Sequence, residues 1–453
     1  DNNNNNNNIV NGNIEVNINF ENGCEKELFG VFGNDLFKYE SKGACINGYC
    51  KQYNQDWISM EMYDEYKYTD KTVILGVYDG HGMIGQNASL WASKIIPHEF
   101  MIHLSNINNP SNINKNRKSN YNYSTSNSNN STISNSMEST VPVSSNESNN
   151  NHNNSENKSD KTLPIMDNDS NDDNDIENTT LTQGMDDDST LNDELTHNID
   201  DSYKKSNPLC KALNKSIKIC HNDIVTMINN ETIMFSQVLK RHGVGKKNID
   251  YGTTACVLVS DGNEVIIANV GDSRCILLEG KPTKNSLKWE CKPITNDHNP
   301  MQRNDERLRV QQDGGAFEQS KELRLYPGNM KFADAKKRGL AINMTRAVGH
   351  PILSKHGLIA TPELSRVELV KDHHYIFIMG SDGLFDAIPN ADIFRIVKDI
   401  HGKFIKSNDK NKKFQDIVVD SLLKEAEKRW IAINSGDNIS IICASITPNI
   451  MTD

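Results

Sequence analysis

Apolar residues are scarce in this chain. They make up 36% of its 453 residues, against about 45–50% in an ordinary globular domain once glycine is counted. No apolar run approaches the eighteen or so residues of a membrane span, so no such span is expected. The nine cysteines are scattered and contain no CxxC pair. That favours reduced, buried thiols, as in a cytoplasmic or nuclear protein, over the alternative of a zinc site or disulfide scaffold. No dense basic stripe with interleaved aromatics occurs, so nucleic acid is not an expected partner. The chain begins with Asp1 rather than Met, so the absence of a leader carries no information.

The apolar deficit is local. Residues 1–8 are an Asn-rich run read as disordered. Asn106–Asp201 is Asn/Ser-rich and then Asp-rich, with too few large apolar side chains to offset the entropy of ordering. It reads as a disordered insertion within one domain spanning 9–447, because a helical pattern resumes directly after it. The segment from Asp160 to Ser202 carries roughly fourteen acidic residues against one Lys, which accounts for the whole net charge of -11. It lacks the D-x-[DN]-x-[DN]-G loop with a trailing Glu, which argues against a calcium-binding loop of that kind.

Outside the insertion, apolar periodicity predicts short strands at Ile14–Phe20, Val73–Tyr78, Thr253–Val259, Glu264–Ala268, Cys275–Leu278, Tyr375–Met379 and Ile439–Ile446. Helical spacing covers Ala88–Phe100, Leu209–Ile228, Ile393–Ile400 and Ile417–Trp430. Strands and helices segregate without strict alternation, which predicts an α+β fold with mainly antiparallel sheets.

The chemistry-bearing feature is a set of Asp residues at strand ends. Asp79 and Asp382 follow apolar strands, Asp272 lies between two, and Asp437 precedes the last. Strands ending in carboxylates can gather oxygen ligands at one sheet edge, the environment that hard divalent cations such as Mg²⁺ or Mn²⁺ prefer. Gly80, lacking a side chain, would let its backbone carbonyl approach a cation. Taken singly, each Asp-Gly pair reads as a turn and His81 as a hydrogen-bonded structural residue.

The combination overturns those single readings. Asn54-Gln55-Asp56, Val77-Tyr78-Asp79-Gly80-His81-Gly82, Gly252-Thr253-Thr254-Ala255 and Ala268-Asn269-Val270-Gly271-Asp272-Ser273-Arg274 come first in the chain. Asp297-His298-Asn299-Pro300, Gly314-Gly315, Thr345-Arg346-Ala347-Val348-Gly349, Ser381-Asp382-Gly383-Leu384-Phe385-Asp386 and Gly436-Asp437-Asn438 follow. In this order the nine stretches closely resemble the type 2C, metal-dependent (PPM) protein phosphatase family.

The resemblance implies a central β-sandwich of two antiparallel sheets flanked by helices. It implies a serine/threonine phosphatase acting on phosphoproteins through water activated by two Mg²⁺ or Mn²⁺ ions, with no covalent intermediate. Asp79 would bridge the ions, Asp382 and Asp437 would complete one shell, and the Gly80 carbonyl would bind the other. Asp272 and Asp386 match a weaker third site that shares Asp382, and Gln55 and Asp56 lie where the second ion is supported. His81 matches the general acid for the departing Ser or Thr oxygen, a task suited to imidazole near neutral pH. No Cys in a phosphate-cradling loop followed by Arg is present for a thiol mechanism. His298–Gly339 resembles the family's flap, lengthened by charged and Gly-containing segments around Gln319–Arg338. A monomer is expected.

Three positions depart from the family pattern. Lys51 stands where a phosphate-binding Arg is usual, keeping the charge but losing the bidentate fork. Gln55 replaces a common Glu, and His350 replaces a common Asp. These departures support an alternative reading, a weakly active pseudophosphatase serving as a regulatory binding module. Retention of Asp79, Asp272, Asp382, Asp386 and Asp437 weighs against it.

Overall fold

The computed structural model describes residues 17–19, 23–32, 37–48, 51, 54–63, 72–82, 84–108, 199–229, 249–407 and 413–449. The Asn run at 1–8, the first half of the expected Ile14–Phe20 strand and most of the insertion lie outside these residues.

Strands β1 (Asn17–Asn19), β2 (Gly23–Phe32), β3 (Phe37–Ile46), β4 (Trp57–Tyr63), β5 (Thr72–Tyr78) and β6 (Gly80–Gly82) precede helix α1 (Gly85–Asn108). Helices α2 (Asp201–Ser206) and α3 (Pro208–Asn229) are followed by β7 (Tyr251–Thr253), β8 (Ala255–Ser260), β9 (Glu264–Val270), β10 (Arg274–Pro282) and β11 (Leu287–Pro293). Next come α4 (Asn304–Gln312), β12 (Gly315–Gln319), β13 (Leu323–Pro327), α5 (Phe332–Lys337), β14 (Val348–Gly349), β15 (Glu363–Glu368) and β16 (His374–Gly380). Helices α6 (Asp382–Phe385), α7 (Asn390–Lys406) and α8 (Phe414–Ala432) lead into β17 (Ile439–Pro448).

Two antiparallel sheets carry the fold, ordered β1-β2-β3-β17-β16-β10-β11 and β15-β9-β8-β5-β4. Side chains alternate between the two faces of a strand, and here both faces are buried. Val73, Leu75 and Val77 of β5 meet Phe377 and Met379 of β16 in the core between the sheets. Ile74 and Tyr78 point the other way, onto α1 and α3. Ile376 and Ile378 likewise turn outward, onto α7 and α8. Burial on both faces is why these strands read as unbroken apolar runs instead of alternating ones.

The α+β sandwich is as the sequence predicts, with corrected boundaries. The predicted strand Thr253–Val259 is divided at Thr254 into β7 and β8. Helix α1 runs on to Asn108, and Ile199 is buried in the layer that α1 and α3 form. The folded part therefore takes three residues from each end of the segment assigned to the insertion. Asn106 and Asn108 are polar enough to look like insertion, yet they extend a helix whose inner face is set by Ile96, Phe100 and Leu104. The flap is a structured unit, with α4, the β12–β13 hairpin, α5 and a small core of Val310, Leu325, Ile342, Met344 and Leu353. Its apolar residues are spaced too widely along the chain to register as a pattern.

Phe377 is fully buried between the sheets. Phe377→Ala should cost about 3–5 kcal/mol, read as a lower urea midpoint at unchanged slope. A loss below about 1 kcal/mol would contradict the close packing of the two sheets.

Candidate metal centre

The site forms where strand ends from both sheets meet. Asp79 leaves β5, and its backbone is clamped by Thr254. The Asp79 N–H donates to Thr254 Oγ1 at 2.9 Å, and the Thr254 N–H donates to the Asp79 carbonyl at 2.8 Å. Thr254 Oγ1 also meets Ser273 Oγ at 2.7 Å, which ties Asp79 to the β9–β10 turn carrying Asp272. Gly271 in that turn has φ +107, and a Cβ there would lie 2.5 Å from Thr254 Cγ2. Glycine is thus required on both counts.

A second set of clips joins the ends of β16 and β17. The Ser440 N–H donates to Ser381 Oγ at 3.1 Å, the Ser381 N–H donates to the Ser440 carbonyl at 3.1 Å, and Ser440 Oγ donates to Asp56 Oδ2 at 2.9 Å. Asp382 then opens helix α6 instead of a simple turn, and the Asp386 N–H donates to its carbonyl at 2.8 Å. Gly383 lies against the Asn438 carbonyl, where a Cβ would stand 1.9 Å away. Asn438 Oδ1 accepts from the Gln55 N–H at 2.9 Å, so the segments bearing Asp56, Asp382 and Asp437 are held together. Gly80 packs against the Gly85 and Gln55 carbonyls, where a Cβ would approach to 2.4 and 2.6 Å.

The electrostatics show how close these carboxyls are. Burial, and then repulsion from Asp56, Asp382, Asp437 and Asp272, pushes the Asp79 carboxyl well above its ordinary range. Burial, and then Asp437, Asp272, Asp386 and Asp56, does the same to Asp382. Burial first, and neighbouring acids second, bring Asp272 to about 8. Burial likewise takes Asp56 to about 6, and loss of solvent around the carboxyl of the more exposed Asp386 also brings it to about 6. Asp272 Oδ1 is buried without a hydrogen-bond partner. Positive charge answers part of this: Lys51 Nζ lies 2.6 Å from Asp437 Oδ1, and Arg274 acts on Asp386.

Among the described residues, no group of three or more His, Cys, Asp or Glu side chains is placed so as to hold a metal ion. The donor chemistry nevertheless fits hard divalent cations. The donors are carboxylate oxygens that repel one another, one of them without a hydrogen-bond partner.

His81 Nε2 lies 3.7 Å from Asp79 Oδ1. Burial, and then the neighbouring His350, Lys51 and Arg324, lower its pKa to about 3. That differs from the expectation of an imidazole poised near neutrality, because this ring is desolvated and faces positive charge. Gln55 turns its amide Nε2 to the Gly82 carbonyl and to Gln86 Oε1. Residues passed over in the sequence include Ser440, Asn343, whose Nδ2 donates to Asp272 Oδ2 at 3.4 Å, and Arg324 of the flap. Thr254, Ser273 and Asn438 stood inside the quoted stretches but had been given no role.

The sequence matches the family described as Protein phosphatase 2C over residues 142–420. This is more than half of the chain, and the chain belongs to that family. Asp272, Asp382 and Asp386 fall within the match, and Asp79, His81 and Asp437 outside it. Relatives include Probable protein phosphatase 2C 52 of Oryza sativa subsp. japonica, 33% identical over 33% of this chain and 26% of that protein. Protein phosphatase 1K, mitochondrial, of Xenopus laevis is 30% identical over 41% of this chain and 46% of that protein. The chain thus spans from about a quarter to about half of the length of the curated relatives it matches. The crystal structure of serine-threonine phosphatase 2C from Toxoplasma gondii superposes with a TM-score of 0.51, covering 96% of this chain and 98% of that one. At 16% identity it attests the fold alone.

Carboxyls whose folded pKa lies above the unfolded value keep protons that the unfolded chain has released. The cation-free protein therefore gains stability as pH falls through about 8 toward 6.5. His81, held low, opposes this only below its ordinary 6.5. A divalent cation replaces the missing charge best when the carboxyls are ionised, so Mg²⁺ or Mn²⁺ should raise the Tm more at about pH 8.5 than at about pH 6.5. Equal shifts at the two pH values would contradict this account.

Proposed function

We propose that the protein is a metal-dependent serine/threonine phosphatase that hydrolyses phosphoserine and phosphothreonine in proteins. The observation that carries this reading is the mutual repulsion of the buried carboxyls Asp79, Asp56 and Asp272 and the half-buried Asp382 at one end of the sandwich. Asp79, the Gly80 carbonyl, Asp382 and Asp437 would hold two Mg²⁺ or Mn²⁺ ions, with Asp272 and Asp386 at a third position and Asp56 and Gln55 supporting the second. Bound there, such ions supply Lewis acidity that makes a water nucleophilic near neutral pH and offsets charge on the phosphoryl oxygens.

The chain's own residues do the rest. His81 presents Nε2 beside Asp79 and donates a proton to the departing Ser or Thr oxygen. Its ring is neutral in the free chain. A phosphoester dianion beside it adds negative charge and raises its affinity for the proton it must give up. Lys51 attracts the phosphoryl oxygens as a point charge, exchanging its bond to Asp437 for one to substrate.

The Lys51–Asp437 contact also supports a second reading, a regulatory pseudophosphatase in which an ammonium stands where a cation would. Assay of the purified protein on a phosphothreonine peptide separates the two. Activity that requires Mn²⁺ or Mg²⁺, disappears with EDTA and falls at least about 100-fold in Asp382→Asn is expected. Identical behaviour of wild type and variant with metal would leave only the second reading.

A further inference from the structure

Strand β13 of the flap carries a guanidinium to the rim of carboxyls. Leu325 is buried in the flap core and bridges Ile342 in antiparallel sense, with backbone N–H···O bonds of 2.7 and 3.1 Å. Successive side chains of a strand point to opposite faces, and residues opposed across an antiparallel pair share one. The next opposed pair, Arg324 and Asn343, therefore lies on the face turned away from the flap core. Asn343 Nδ2 donates to Asp272 Oδ2 at 3.4 Å, so that face is the one against the rim.

Arg324 Nη1 donates to the Ala341 carbonyl at 3.2 Å, and Nη2 donates to Glu322 Oε2 at 2.8 Å. These bonds lay the guanidinium along the 341–343 segment and leave it N–H groups that have no partner among the described residues. The side chain is 33% exposed. The charge of Arg324 acts on His81, and that of Glu322 on Asp272 and Asp386. The surrounding flap is basic: Gln319–Arg338 holds six Lys and Arg residues against two acids, Glu322 and Asp334.

The phosphoryl group has its own cation in Lys51, which pairs with Asp437 and acts on Asp382 and Asp79. Arg324 enters from the flap, on the side of the residue that faces the departing Ser or Thr oxygen. That oxygen stays attached to the peptide, so a fork here meets the substrate's own chain. A carboxylate already rests on this guanidinium, that of Glu322, and the remaining N–H groups suit a second. A basic surface at this place favours acidic partners over others.

We propose that Arg324 is a specificity-determining residue that binds a carboxylate of the substrate beside the phosphorylated Ser or Thr, so that phosphopeptides with acidic flanks are preferred. The inference rests on the proposed phosphatase reading and names the substrate class of that site.

The test compares kcat/KM of the Mn²⁺-loaded chain on two phosphothreonine peptides that differ only in having Glu or Ala on either side of the phosphothreonine. Wild type should prefer the Glu peptide about 5-fold, the upper range for one half-exposed ion pair, with the difference in KM. Arg324→Gln should bring the ratio to about 1, and Arg324→Glu should invert it. Glu322→Gln, which removes the competing carboxylate, should raise the ratio above that of wild type. A wild-type ratio near 1 overturns the proposal. So does an equal loss on both peptides in Arg324→Gln, which would put the guanidinium on the phosphoryl group. If wild type hydrolyses neither peptide, the phosphatase reading fails by itself. Fluorescence polarisation of the same two peptides then reads the ratio of their affinities, and a ratio that Arg324→Gln does not move would sink the specificity role as well.

Discussion

Like charges packed together at the rim of the sandwich are the constraint around which this protein is organised. Asp79, Asp56 and Asp272 are buried, Asp382 is half-buried, and together they raise one another's proton affinity. An isolated buried carboxylate would neutralise itself, and several together cannot all ionise without a partner charge. Lys51 is paired with Asp437, and its charge also acts on Asp382 and Asp79. Such an arrangement works against folding in isolation, and on the proposed reading divalent cations would supply the missing charge.

The scaffold meets this repulsion with neutral hydrogen bonds. Thr254 clamps the backbone at Asp79 and reaches Ser273, while Ser381 and Ser440 bind each other's strands and Ser440 also reaches Asp56. These hydroxyls hold carboxylate-bearing backbone in place without adding charge. Glycine matters where backbone must come close: Gly80 against Gly85, Gly383 against Asn438, and Gly271 at its left-handed turn against Thr254. The sandwich behind them is apolar on both faces of both sheets, which makes the strand ends rigid enough to oppose like charges.

Much of this was legible in the sequence for a physical reason. A strand buried on both faces must be a continuous apolar run, so Val73–Tyr78 and Tyr375–Met379 announced themselves, and the Asp residues at their ends marked the rim. Elements that carry less of the core were hidden. Strand β11 alternates charged and apolar residues at a partly exposed edge, and the flap builds its core from residues far apart in sequence. The electrostatic state of His81 was also hidden, because it depends first on burial in the fold and then on His350, Lys51 and Arg324 from distant segments. The substitution at His350 was visible as a departure, yet its buried contact with Asp250, one hundred residues earlier in the chain, was not.

The central claim is that separate strands deliver carboxylates to a common point that binds paired cations. Calorimetric titration of the metal-free protein with Mn²⁺ tests it most directly. The account predicts at least two ions per chain in the wild type, and loss of the paired site in Asp79→Asn, whose side chain reaches the other carboxyls from β5. The same stoichiometry and affinity in the two proteins would contradict it.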